Sequence, residues 1–291
     1  MTSTAELVLD SKSALGEGPI WSVDDQVLYW IDIHGHLVHV YNPADGSNRS
    51  IEVDQMPGTV VRRQSGGLML AVESGFATLD LETEAVEVVS NPEPKPNMRF
   101  NDGKCDPAGR FWAGSLAGSE DQATGTLYAL EADLTASAKL DNLTIPNGIV
   151  WTSDHKTMYY IDTPTFKVDA YDYDIDTGNL SNHRVAVTIA EEECWPDGMA
   201  IDAEDMIWVA HWGGARVNRF NPKTGEKLQQ IDVPSPQTTA PAFGGPDLKH
   251  MYITSAAHQL DEETRGKYPH AGGLFMVEVD VPGVPADSFA G

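Results

Sequence analysis

Five short apolar runs rich in aromatic residues recur along the 291-residue chain: Leu28-Tyr29-Trp30-Ile31-Asp32, then 110–114, 158–162, 207–211 and 250–254. Their aromatic and β-branched content and their brevity predict strands. No long apolar pattern of period 3.6 lies between them, so little helix is expected. Five dipeptides ending in glycine precede strand-like runs: Glu17-Gly18, Pro57-Gly58, Asp102-Gly103, Asn147-Gly148 and Asp197-Gly198. They recur at about 40 to 50 residues, the period of a propeller blade. Polar segments such as Tyr41-Asn42-Pro43-Ala44-Asp45-Gly46, with relatives at 173–178 and 220–225, supply turn chemistry between outer strands.

The predicted fold is all-β: one six-bladed β-propeller domain over 1–291, with four-stranded antiparallel blades beginning near Glu17, Pro57, Asp102, Asn147, Asp197 and Pro241. The sixth blade runs short after 274–279, whereas Glu6-Leu7-Val8-Leu9-Asp10 precedes blade one without a partner. This N-terminal strand is expected to complete blade six and close the ring, which removes an open sheet edge.

In an up-and-down blade, the start of the inner strand and the loop between the second and third strands lie on the same face. That face gathers Glu17, Asp102, Asn147 and Asp197 with the loops at 34–36, 73–75 and 211–214 and two long loops, 117–125 and 256–272. Long loops in compact domains are commonly functional. Glu17, Asn147 and Asp197 offer two negative oxygens and one neutral amide oxygen, a hard donor set for one divalent cation. Calcium, magnesium or manganese suits that set best, and catalytic zinc or ferrous iron stays open. The competing reading is that each dipeptide is only a turn entering its blade. Arg99-Phe100-Asn101-Asp102-Gly103 adds a forked donor and an amide able to donate and accept, as sugar hydroxyls require. His34 and His36 flank Gly35 in a probable hairpin and read as exposed turn residues rather than ligands, while Trp195 offers either an apolar pocket wall or packing.

Composition narrows the classes further. Lys and Arg number 19 against 44 Asp and Glu, a formal charge of −25, which opposes nucleic acid and anionic membranes as partners. Cys105 and Cys194 lie far apart, outside any C-x-x-C pattern, so no disulfide framework is expected. No signal-peptide pattern or membrane-length run is present, and a cytoplasmic location is expected. Serine-nucleophile, zinc-protease and phosphate-loop motifs are missing.

Several motifs, in family order, resemble the SMP-30/gluconolactonase/luciferin-regenerating family: Leu15-Gly16-Glu17-Gly18-Pro19-Ile20-Trp21, Arg99-Phe100-Asn101-Asp102-Gly103-Lys104, Pro146-Asn147-Gly148 and Pro196-Asp197-Gly198-Met199. The resemblance implies a six-bladed propeller that hydrolyses sugar lactones with a divalent cation. It assigns Glu17, Asn147 and Asp197 to the cation, Arg99 and Asn101 to substrate, and proton transfer to Asp197. Family members carry a substrate-contacting glutamate in the loop after blade three's second strand; here Gly118-Ser119-Glu120-Asp121 puts Glu120 nearest, after a one-residue shift. Two alternatives stand beside a lactonase: hydrolysis of organophosphate-type esters at the same site, and a non-enzymatic calcium-binding regulatory protein.

Overall fold

The computed structural model describes residues 3–93 and 95–291, with Glu193 by its backbone alone. Six sheets are arranged as propeller blades. Blade one shows the common order: inner strand Gly16–Ser22, then Val27–Asp32, Leu37–Asn42 and outer strand Ser47–Glu52. The inner strand is buried throughout and the outer strand is largely exposed. The aromatic-rich runs are the second strands, buried on both faces between neighbouring blades, which is why they lack polar alternation.

Each glycine dipeptide sits inside an inner strand rather than in a turn before it. All six inner strands slip register there, between Glu17 and Ile20, Pro57 and Thr59, Phe100 and Gly103, Pro146 and Ile149, Pro196 and Met199, and Thr238 and Pro241. A bulge kinks its strand and re-aims a side chain, so the repeat turns the residue before the glycine out of the ordinary alternation. At four of the five positions the glycine is required by close approach, and at Gly18 by a φ of +54°. A Cβ on Gly148 would lie 2.6 Å from the Met199 Cβ, and one on Gly198 would lie 2.4 Å from the Ala240 Cβ. Neighbouring inner strands pack against each other at these points around the axis.

Blade six consists of Thr238–Gly244, His250–Ser255 and Leu274–Glu278, with Glu6–Leu9 pairing antiparallel against the last as the expected closure. One detail departs from the four-stranded expectation. Ser3–Thr4 adds a fifth strand to blade five, parallel to Glu226–Asp232. The chain must step from blade five's outer edge to blade six's. Ala5 makes that step with its side chain buried between the two blades and its N–H donated to Asp232 O. The C-terminal segment is a second tie. Gly283 bridges Asp202 of blade five, and fully buried Phe289 bridges Arg63 of blade two and packs in the core there.

Helix is scarce, as expected: among the described residues there is α1 (Glu262–Lys267), capped by Asp261, and two 3-10 turns, Thr163–Thr165 and Glu191–Glu193. None of the described helices is long and apolar enough to cross a membrane.

Candidate functional site

A cavity of about 280 Å³ opens on the face from which the inner strands start. Glu17 of blade one, Arg99 and Asn101 of blade three, Asn147 of blade four and Asp197 of blade five all line it. Glu120 joins them from the 117–125 loop. The five strand-borne residues are 4 to 8% exposed.

Local chemistry sets their approach. Asp32, at the end of blade one's second strand, accepts the N–H groups of Ala14 and Leu15 at 2.8 and 2.9 Å, fixing the backbone just ahead of Glu17. Asp162 does the same in blade four, accepting from Ile145 N at 2.7 Å ahead of Asn147. The aspartates that end these apolar runs therefore aim the entry of their own blade's inner strand.

The polar side chains form one relay across three blades. Glu120 Oε1 accepts from Arg99 Nη2 at 2.7 Å, and Arg99 Nη1 donates to Asn101 Oδ1 at 2.8 Å. Asn101 Nδ2 donates to Asn147 Oδ1 at 3.0 Å, and Asn147 Nδ2 donates to Thr163 Oγ1 at 2.8 Å. The Thr163 hydroxyl completes the relay by donating to Pro196 O at 2.8 Å, next to Asp197. Because Asn147 Nδ2 is spoken for, its Oδ1 is held toward the cavity side with one lone pair free.

The carboxylates are not so provided for. Glu17 Oε2 accepts the N–H of the next residue, Gly18, at 3.0 Å, and Asp102 Oδ1 accepts that of Gly103 at 2.7 Å. Asp102 Oδ2 is buried without a hydrogen-bond partner. Loss of water, reinforced by Asp102, pushes the Glu17 carboxyl up to about 8. Burial, with Glu17, Asp102 and Glu120 adding to it, holds Asp197 well above the usual carboxylate range. Crowded acids with few donors in a dry site are a poor arrangement by themselves and a good one for a cation, whose charge would restore their ionised forms. Among the described residues, no group of three or more His, Cys, Asp or Glu side chains is arranged to hold a metal ion. A metal centre here would need the carboxamide of Asn147 as a third protein ligand beside the two carboxylates.

The rest of the cavity is ring-rich. His34 meets His258 edge-on with ring centroids 4.6 Å apart, and Trp195 leans on Phe166 at 4.7 Å, with Trp212 beside them on the wall. His34 belongs to this rim whereas His36 does not line the cavity, so the two are not a ligand pair. Thr163, His258 and Gln259 were not singled out from sequence. Thr163 follows the run 158–162 in a loop of the right phase, a signal that was available. The two blade-six residues lie in the long 256–272 loop, whose path no local pattern reveals.

Residues 15–257 match the family described as SMP-30/Gluconolactonase/LRE-like region. The chain is 40% identical to regucalcin of Xenopus laevis, over 98% of both proteins, and 37% identical to the putative sugar lactone lactonase YvrE of Bacillus subtilis, over 99% of both. Among solved structures it resembles the calcium-binding protein regucalcin of Agrobacterium tumefaciens, with a TM-score of 0.94 and 26% identity over 99% of each chain. The chain belongs to the SMP-30/gluconolactonase/LRE-like family.

Proposed function

We propose that this protein hydrolyses a sugar lactone to the aldonic acid, using one hard divalent cation held by Glu17, Asn147 and Asp197. The observation that carries the reading is the convergence of these three oxygen donors from three blades on one cavity that also holds the Arg99–Glu120 pair. The Bacillus relative is a putative sugar lactone lactonase and the Agrobacterium neighbour a calcium-binding protein, in agreement with both halves of the proposal. At about 280 Å³ the cavity falls just below the ~300–1,000 Å³ of drug-sized pockets, a fit for one sugar ring. The free thiols Cys105 and Cys194 agree with a cytoplasmic setting.

A bound dication would polarise the lactone carbonyl and acidify water. Arg99 and Asn101 orient the lactone through hydroxyl or ring oxygens, Arg99 as a donor held in plane by Glu120 and Asn101. Water adds to the carbonyl carbon, and Asp197 takes its proton. As the ring C–O bond breaks, the proton goes to the departing oxygen, leaving an open-chain acid with a new hydroxyl. A bound dication would lower the proton affinity that burial gives Asp197, so its base role would fall to the carboxylate oxygen turned away from the cation, acting on water the cation would already have acidified.

The test is a panel of pentono- and hexonolactones, with phosphotriesters alongside, assayed on cation-stripped and reconstituted protein. Lactone turnover should vanish on stripping and return with a hard cation. Faster turnover of a phosphotriester than of any lactone would replace this reading with ester hydrolysis of the organophosphate type. Cation binding without turnover of either class would leave the regulatory calcium-binding reading.

A further inference from the structure

The opposite end of the ring axis carries a larger cavity of about 410 Å³. Its walls are the far ends of the inner strands of blades one, three, four, five and six, together with residues 284–287 of the C-terminal segment. That segment is tied at Gly283 and Phe289, while 284–288 between the ties belong to no strand and form one side of the opening. Trp21, Trp151, Phe243 and Val150 give the cavity an apolar body.

Lys104 is the charged residue set inside it. Partly buried at the end of blade three's inner strand, it reaches across the axis to blade five, donating from Nζ to Met199 O at 3.0 Å. An ammonium has three donors, and among the described residues this one has that single hydrogen bond and no salt bridge. Its field is felt by Glu17 further along the axis, but no carboxylate touches it. Of the other ionisable groups of the lining, His155 and Asp287 are exposed at the rim and the Cys105 thiol is buried.

We propose that this second cavity binds a small organic carboxylate with an aromatic or branched apolar body, its carboxylate meeting Lys104 and its body the indole and phenyl walls. The volume lies within the ~300–1,000 Å³ of small-molecule sites, and an apolar pocket with one convergent charge is the arrangement such sites show. A neutral hydrocarbon would fill the walls and displace water from the partly buried ammonium, leaving Met199 O as its one partner. The protein's charge of −25 disfavours anions in general, so selection has to come from this local cation inside a low-dielectric mouth. An amine would instead choose Asp287, which makes the sign of the ligand charge decisive.

The test uses three ligands of one shape, phenylacetate, 2-phenylethanol and phenethylamine, titrated calorimetrically into the full chain with saturating calcium. Quenching of Trp21 and Trp151 fluorescence is the second readout. Saturable one-to-one binding of phenylacetate is expected, about tenfold tighter than the alcohol, with the amine weakest. Lys104→Met should abolish the preference for the acid and leave the alcohol unchanged. Ala286→Trp, placed on the exposed segment so that folding is spared, should weaken both by crowding the mouth. Arg99→Ala should leave phenylacetate binding intact, separating this site from the lactone cavity. The proposal is overturned by no saturable binding at millimolar ligand, by preference for the amine, or by loss of acid binding in Arg99→Ala rather than in Lys104→Met.

Discussion

Two sets of buried carboxylates in this propeller have opposite surroundings. Asp106 of blade three is fully buried and accepts from the backbone of Ala108 and Arg110, from Trp112 Nε1 at 2.8 Å, from Tyr173 Oη at 2.6 Å and from Arg110 Nη1 at 3.3 Å. Asp202 repeats the arrangement in blade five, with two backbone donors, Trp208 Nε1 at 2.9 Å and Arg219 Nε at 2.8 Å. Glu17, Asp102 and Asp197 are nearly as buried, yet have one another for neighbours and little beyond the next backbone N–H. A buried acid saturated with donors and a guanidinium is a finished structural joint. A buried acid beside other acids is an incomplete one, which a bound cation would complete.

The largest effect expected from breaking the incomplete set is on turnover. Asp197→Asn keeps an oxygen ligand and removes the base, so lactone turnover should fall by ~10²–10⁴-fold while calorimetry still detects cation binding. Near-normal turnover across pH in that variant would remove the proton-transfer role. Breaking a finished joint should do the reverse. Asp106→Ala leaves Arg110 its Glu131 partner but takes the acceptor from buried Trp112 Nε1, from Tyr173 Oη and from two backbone N–H groups, and at about 1–3 kcal/mol for each stranded donor it should cost several kcal/mol in urea unfolding, with cation affinity of the folded fraction unchanged.

The comparison also predicts that the crowded set adds a pH dependence that a cation would cancel. The Glu17 carboxyl lies near 8 in the cation-free fold against an ordinary 4.5, so the folded state binds its proton more tightly than the unfolded chain does. Stability of the chelated protein should then be greatest below about 4.5 on this account and decline as pH rises toward about 8, Tm falling by roughly 2–4 °C per kcal/mol lost. A saturating cation should cancel the decline, adding about 4 kcal/mol at a thousandfold excess over Kd. A Tm indifferent to calcium across that window would show that the crowding is relieved in some other way.

Two smaller effects sharpen the roles within the cavity. Arg99→Ala should cost ~1.5–3 kcal/mol in kcat/KM and spare cation affinity; unchanged lactone turnover would sink its orienting role. Thr163→Val removes the hydroxyl that holds Asn147 Nδ2 and should weaken cation binding by ~0.5–1.5 kcal/mol, read by calorimetry, without altering the lactone KM at saturating cation.

Much of this was legible in the chain before any coordinates, because it depends on local chemistry. The spacing of the glycine dipeptides, the aromatic-rich second strands and the turns at 41–46, 173–178 and 220–225 specify blades through neighbours in sequence. The phase of Glu17, Asn147 and Asp197 followed from the blade period, and the unpartnered Glu6–Leu9 pointed to ring closure. What the repeat does physically was hidden. The dipeptides are bulges inside the inner strands, with glycine demanded by the adjacent blade at Gly58, Gly148 and Gly198, by Trp112 O of the same blade at Gly103, and by a positive φ at Gly18.

The remainder was decided by contacts between residues far apart in the chain, which no window of sequence contains. Glu120 reaches Arg99 across 21 positions, Asn101 meets Asn147 across 46, and Thr163 ties to Pro196 across 33. Ser3–Thr4 finds blade five only because Ala5 has a pocket between two finished blades. Sequence alone determined how each blade forms and which residue type stands at each blade entry, since strand propensity and turn geometry act over a few residues. Tertiary structure decided which of those residues share a cavity, how far each is stripped of water and whether a partner awaits it, because burial and Coulomb energy belong to the assembled ring.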